Sequence, residues 1–210
     1  MHKLDIKYAG KKMGASARAL VMIHGRGGTA EDILSLADHL QVNDYTLVAP
    51  QATNNSWYPN SFLAIPTSNE PWLTGALALI STAVKELTDA GLSKENIYFL
   101  GFSQGACLSL EFVARNAHKY GGVVAFTGGL IGDKIYPANY SGDFDQTPIF
   151  IGTSNPDPHV PVERVHATVN ILKNMNAAVT EKIYANMGHT INQDEIELAN
   201  ILVFKATAQV

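Results

Sequence analysis

Two periodicities alternate along the chain. Short runs of apolar or β-branched residues fall near residues 18–23, 45–49, 96–100, 122–126, 148–152 and 179–184, with a weaker one near 3–8. Their length and composition predict strands. Between them, apolar residues return every three or four positions, the spacing of one helical face. The first such helix opens with Thr29 and Asp32 in a capping-box arrangement and turns Ile33, Leu36, Ala37 and Leu40 to one side. The second carries Pro71 in its first turn, followed by Leu73, Ala76, Leu77, Ile80, Val84 and Leu87 at helical spacing. Further helices are expected from about Gln104, from Pro161 with Val162, Val165, Val169 and Leu172 inward, and from Asn192 with Glu195 as its capping partner. Strands apolar on both sides, joined by crossover helices, imply an α/β fold: a mainly parallel sheet with helices on both faces.

No internal repeat or low-complexity linker divides the sequence, so residues 1–210 are expected to form a single domain. Two irregular segments, 51–70 and 128–146, are longer than ordinary strand-to-helix connections. Both follow predicted strands, which puts them at the C-terminal edge of the sheet, where open α/β folds bind ligands.

Composition narrows the partners. With 46% hydrophobic residues the chain can bury a large core, and its formal charge of −4 is small. The 15 lysines and arginines are scattered without a basic run, so no nucleic-acid partner is expected. One cysteine, Cys107, excludes an intramolecular disulfide framework and a thiolate metal cluster. The N-terminal twenty residues lack a secretory apolar core and no later run approaches a membrane span, so a cytoplasmic protein without stable membrane insertion is expected. These features admit a homodimer without requiring one.

The chemistry is concentrated in four places. The predicted strand 96–100 runs into Gly101-Phe-Ser-Gln-Gly105 and then into a helix. A GxSxG in a strand–turn–helix context is a nucleophile elbow, with small flanking residues that let strand and helix approach closely around Ser103. A serine hydroxyl needs a base, and the base needs a group that fixes its tautomer. In the chain order serine, acid, histidine, Asp157 lies in a proline-stiffened loop after the strand 148–152, and His189 in a glycine-containing loop after the next strand. Asp133, Asp143 and Asp145 sit in a polar loop and read as solvated or turn-forming carboxylates. His159 reads as a loop residue and His166 as a helix-surface residue, with no cysteine partners or HExxH spacing to make a metal site. His39 and His118 fall near helix ends. The fourth place, His24-Gly-Arg-Gly-Gly28, lies between a strand and a helix. Its glycine spacing fits a dinucleotide fingerprint, but the end of the second strand offers Val-Ala-Pro-Gln where an acidic residue would bind ribose.

Taken together, HisGlyArgGlyGly at 24–28, AlaProGln at 49–51, SerTrpTyr at 56–58, GlyPheSerGlnGly at 101–105, AspProHisValPro at 157–161 and MetGlyHis at 187–189 resemble the phospholipase/carboxylesterase group of α/β hydrolases, which includes the acyl-protein thioesterases. The resemblance spans nearly the whole chain. It implies an α/β-hydrolase fold with Ser103 as nucleophile, Asp157 as orienting acid and His189 as base. It also implies hydrolysis of small-molecule esters or thioesters with no metal or organic cofactor. The glycine loop then forms an oxyanion hole from the backbone N–H groups of Arg26 and Gln104, braced by His24. The chain departs from the group's usual apolar residue at Arg26, aspartate at Gly28 and glycine at Ala106. The Arg26 side chain either meets an anionic substrate group or pairs with an acid on the rim.

Trp57, Tyr58 and Phe62, with Leu63 and Ile65, are candidates for the wall of an acyl pocket or for loop-covered core. Cys107, behind the serine, reads as buried packing. No lid domain is evident, so a carboxylesterase for small to medium acyl groups is expected. The alternatives are an acyl-protein or acyl-CoA thioesterase, a lysophospholipase, and a non-catalytic ligand-binding protein on the same fold.

Overall fold

The computed structural model describes residues 2–204. Strands β1 (Ile6–Gly10), β2 (Ala19–Ile23), β3 (Thr46–Pro50), β4 (Ile97–Phe102), β5 (Gly122–Phe126), β6 (Pro148–Asn155) and β7 (Ala178–Ala185) form one sheet in the order β1-β3-β2-β4-β5-β6-β7. Only β1 runs antiparallel, against β3; the other pairings are parallel. Helices α1 (Ala30–Ser35), α2 (Trp72–Asp89), α3 (Gln104–Arg115) and α4 (Val162–Asn174) supply crossovers, and α5 (Gln193–Leu202) follows β7. β1 begins three residues later and ends two later than its weak apolar pattern indicated. At the sheet edge it has one neighbour, and three of its five residues are exposed, so burial fixes its position less firmly than that of the inner strands.

Alternate residues of the inner strands divide the core into two layers, as the two-residue side-chain period of a strand requires. Ala19, Val21, Ile23, Phe99, Val123 and Ala125 pack with buried residues of α2, α3 and α4. Leu20, Met22, Leu100, Val124, Phe126 and Phe150 pack with Ala30 and Ile33 of α1 and Ile196 and Ala199 of α5. Both expected capping boxes form, Thr29 with Asp32 and Asn192 with Glu195. On α2 the apolar stripe is rotated from the expected one. Leu79 and Ala83 are buried, whereas Leu77 is partly exposed at the stripe's margin.

The irregular segments are anchored from inside. Glu111 of α3 is fully buried; its carboxylate accepts from Arg115 Nε at 2.6 Å, Ile131 N at 3.0 Å and the Tyr140 hydroxyl at 3.0 Å. A buried charge is tolerable only with such partners, and here they fix the segment after β5. That segment reaches the one after β3 through Gly132 N donating to Phe62 O at 2.7 Å.

Candidate active site

Ser103 lies between β4 and α3 with φ 55° and ψ −118°. This is a left-handed conformation that costs a non-glycine residue about 1–3 kcal/mol and is held only where its surroundings demand it. Ser103 N donates to Phe126 O of β5 at 2.9 Å, and Cys107 N donates to Ser103 O at 3.0 Å. The flanking glycines are required by close approach. A Cβ on Gly101 would overlap the Gly105 backbone, and one on Gly105 would overlap the Ile23 carbonyl of β2.

Ser103 Oγ is 2.8 Å from His189 Nε2, and His189 Nδ1 is 2.9 Å from Asp157 Oδ2. The carboxylate can only accept from Nδ1–H, so Nε2 is free to accept the serine proton. Asp157 Oδ1 also accepts from the amides of His159 and Val160, both at 2.8 Å. Burial works to raise the Asp157 pKa, but these amides and the His189 ring outweigh it and hold the carboxyl below its ordinary range. The loop bearing His189 is tied to the end of β6 by Gly188 N donating to Ser154 Oγ at 2.9 Å. The arrangement can move a proton from Ser103 to His189 while an ionised aspartate fixes the tautomer.

The other carboxylates are engaged elsewhere. Asp133 accepts from the Tyr136 hydroxyl, Asp143 from Asn176, and Asp145 pairs with Lys119. His166 meets Glu181 at 2.7 Å on the surface. Among the described residues, no three His, Cys, Asp or Glu side chains converge as metal ligands would.

The loop after β2 faces the serine. His24 is buried, which lowers its pKa and keeps the ring neutral. Its Nδ1–H donates to Gly25 O at 2.7 Å, while Nε2 accepts from Ala52 N at 3.1 Å. The Trp57 indole donates to His24 O at 2.8 Å. The loop is thus fixed on both sides. Arg26 and Gln104 border the same cleft as Ser103, and the Gln104 amide, in the first turn of α3, has no acceptor within its helix. Donors so fixed are suited to a developing oxyanion.

A family model described as phospholipase/carboxylesterase matches residues 10–204. The chain belongs to the phospholipase/carboxylesterase family. It is 54% identical to the phospholipase/carboxylesterase of Dyadobacter fermentans, whose crystal structure superposes with a TM-score of 0.96 over 97% of this chain and 98% of that one. It is 26% identical to acyl-protein thioesterase 1 of Saccharomyces cerevisiae, over 89% of this chain and 91% of the yeast protein. The Bacillus cereus carboxylesterase, 20% identical with a TM-score of 0.76 over 93% of this chain and 91% of its own, shares the fold. The fold is that of the α/β hydrolases, in a family whose named members include carboxylesterases and acyl-protein thioesterases.

In this phospholipase/carboxylesterase family member, the cleft above Ser103 encloses about 550 Å³ between Tyr58, Phe62, Leu63, Val160 and Cys107. Tyr58 and Phe62 line it. Trp57 does not: its indole N–H needs a buried acceptor and finds His24 O, so it stands behind the wall. Ile65 is exposed. Cys107 is buried, which pushes its thiol pKa up to about 12, so it meets the cleft as an apolar neutral group.

The Arg26 side chain pairs with no acid among the described residues. It donates instead to Ser56 Oγ at 3.0 Å and to the carbonyls of Tyr58, Pro59 and Asn60 at 2.9, 3.1 and 2.7 Å. The Gln104 side chain grips the same loop, accepting from Trp57 N and donating to Tyr58 O, both at 2.9 Å. His159 also differs from its reading as a plain loop residue. It borders the cleft, its ring edge-on to His189 with centroids 4.8 Å apart. Its place two residues beyond Asp157 was the available signal.

Proposed function

We propose that the protein hydrolyses carboxylic esters of small to medium acyl groups through an acyl-enzyme on Ser103. The observation that carries this is the continuous Ser103–His189–Asp157 hydrogen-bonded chain opening on a cleft walled in part by Tyr58, Phe62, Leu63 and Val160. Ser103 Oγ attacks the carbonyl carbon as His189 Nε2 takes its proton. Asp157 stabilises the imidazolium, and the Arg26 and Gln104 amides receive the oxyanion. His189 then protonates the leaving group, and water activated by the same ring releases the acid. Tyr58 and Phe62 flank the acyl chain. The steps use side-chain and backbone groups of the chain itself.

A thioester substrate is the second reading, favoured by the similarity, over 89% of the chain, to a protein named acyl-protein thioesterase 1. The same machinery serves both. A fluorophosphonate probe and a panel of esters and thioesters of graded acyl length test both readings. The wild type should label and turn over, and Ser103→Ala should stay folded, fail to label and lose turnover by a factor on the order of 10³ or more. Wild-type-like turnover in Ser103→Ala rejects the mechanism, and an unlabelled, inactive wild type rejects hydrolysis.

A further inference from the structure

A second cleft of about 370 Å³ lies beside the first, with Arg26 bordering both. Its floor is apolar, made by Ile33 of α1, Leu36 just beyond it, Phe102 at the end of β4, and Ile191. Two of these bracket the reacting side chains: Phe102 precedes Ser103, and Ile191 lies two residues beyond His189. The contact is also spatial. The Phe102 and His189 ring centroids are 5.4 Å apart. A Cβ placed on Gly25, which borders the second cleft, would lie 3.2 Å from Phe102 Cδ1 and 3.5 Å from Ser103 Cβ. Gly25, on the border of the second cleft, thus packs against Phe102 and the base of Ser103.

Resting on the ester-hydrolase reading above, we propose that this cleft binds the alcohol or thiol portion of the substrate. The occupant it suits is apolar and either uncharged or cationic. When Ser103 Oγ bonds to the acyl carbon, that carbon holds four groups at tetrahedral angles: Oγ, the oxyanion, the acyl chain and the leaving atom. The oxyanion points to the amides and the acyl chain occupies the first cleft. As the bond to the leaving atom breaks, its electron pair stays on that atom, which takes from His189 Nε2 the proton that His189 drew from Ser103. The leaving atom must therefore sit at His189 and diverge from the acyl chain. The apolar surface in that direction is that of Phe102 and Ile191.

Charge narrows the class further. The carboxylate on this cleft is Asp32, whose Oδ2 accepts from Thr29 N at 2.8 Å. His24 and His39 also line the cleft, and Arg26, which borders it, is turned into the loop carbonyls. A leaving group bearing phosphate or carboxylate would meet Asp32, while the Arg26 guanidinium is committed to the loop carbonyls. Because Asp32 is exposed, that discrimination is a few-fold effect weakened by salt.

Butyrate esters of methanol, benzyl alcohol, 4-(trimethylammonio)benzyl alcohol and 4-carboxybenzyl alcohol test the proposal, because all pass through the same butyryl-enzyme. Differences in kcat/KM then report the leaving-group side alone. The wild type should prefer benzyl to methyl by about tenfold, the scale of filling an apolar pocket, with the cationic ester at or above the carboxylated one. Leu36→Trp, filling the cleft away from the chemistry, should erase the benzyl preference. It should leave methyl butyrate within about twofold and the dependence of methyl esters on acyl length unchanged. Leu36→Ala should shift the preference toward a naphthylmethyl ester, and decides the matter should the tryptophan variant melt. Turnover indifferent to the alcohol, or a Leu36→Trp effect on acyl length instead, would overturn the assignment of this cleft while sparing the hydrolase reading. A wild type that cleaves none of the esters overturns both.

Discussion

Replacing Arg26 by leucine keeps its backbone amide but removes the four side-chain hydrogen bonds that hold residues 56–60. A shielded hydrogen bond from a charged donor contributes about 1.5–3 kcal/mol. The guanidinium is exposed, however, and water replaces it in part, so about 0.5 kcal/mol each is the better figure. The loop retains the Gln104 tethers and a bond from Asn60 N to Asn69 Oδ1 at 2.8 Å. Arg26→Leu should thus weaken the wall by about 2 kcal/mol, raising its local opening by roughly 30-fold. Amide hydrogen exchange over residues 58–63 should quicken accordingly, with little change in α4 or α5. In an ester series, acetate contacts only the serine end of the cleft and should keep kcat/KM within about threefold. Hexanoate, reaching Phe62 and Leu63, should fall by about tenfold. Arg26→Lys, one ammonium against four acceptors, should lie between. Wild-type exchange and an unchanged acyl profile in Arg26→Leu would refute the tether. Loss confined to anionic esters would show that the guanidinium binds substrate instead.

Two further outcomes follow from groups deeper in the structure. Asp157→Asn should reduce turnover by about 10⁴-fold by favouring the wrong His189 tautomer, while Asp143→Asn and Asp145→Asn stay near wild type; steady-state kinetics that single out either of the latter would reassign the acid. Burial pushes Glu195, whose Oε1 has no hydrogen-bond partner among the described residues, up to about 7. Its folded form therefore holds a proton that the unfolded chain releases near pH 4.3, and the resulting stability is lost as pH rises through about 7. Glu195→Gln should raise thermal stability at pH 8 by an amount on the order of 2 kcal/mol more than at pH 5. Equal shifts at the two pH values would show that the carboxyl does not titrate in this way.

Much of the architecture could be read from the order of residues because it depends on local repetition. Buried strands need consecutive apolar residues, crossover helices need a three-to-four spacing, and the caps at Thr29 and Asn192 need one residue type at one offset. Ser103, Asp157 and His189 could be singled out for a related reason. Successive parallel strands deliver their C-terminal ends to one sheet edge, so residues as far apart as 103 and 189 share that edge whatever the loops do. The edge strand β1 was less legible, because one-sided pairing leaves its apolar pattern weak.

What the tertiary structure alone decided lies in the loops and in contacts to the main chain. Arg26 could have met an acid, a substrate or solvent; it met the carbonyls of Tyr58, Pro59 and Asn60. Every residue carries a carbonyl, so a side chain seeking one leaves no mark on its partner's identity. Trp57 and Tyr58 are adjacent and aromatic, yet one stands behind the wall and the other faces the cleft. His159 lies against His189, and Leu36 and Ile191 border one cleft from distant parts of the chain. These outcomes depend on where non-repeating segments come to rest. No periodicity encodes that; it is settled when the packed sheet and helices bring the loops together and buried polar groups find their partners.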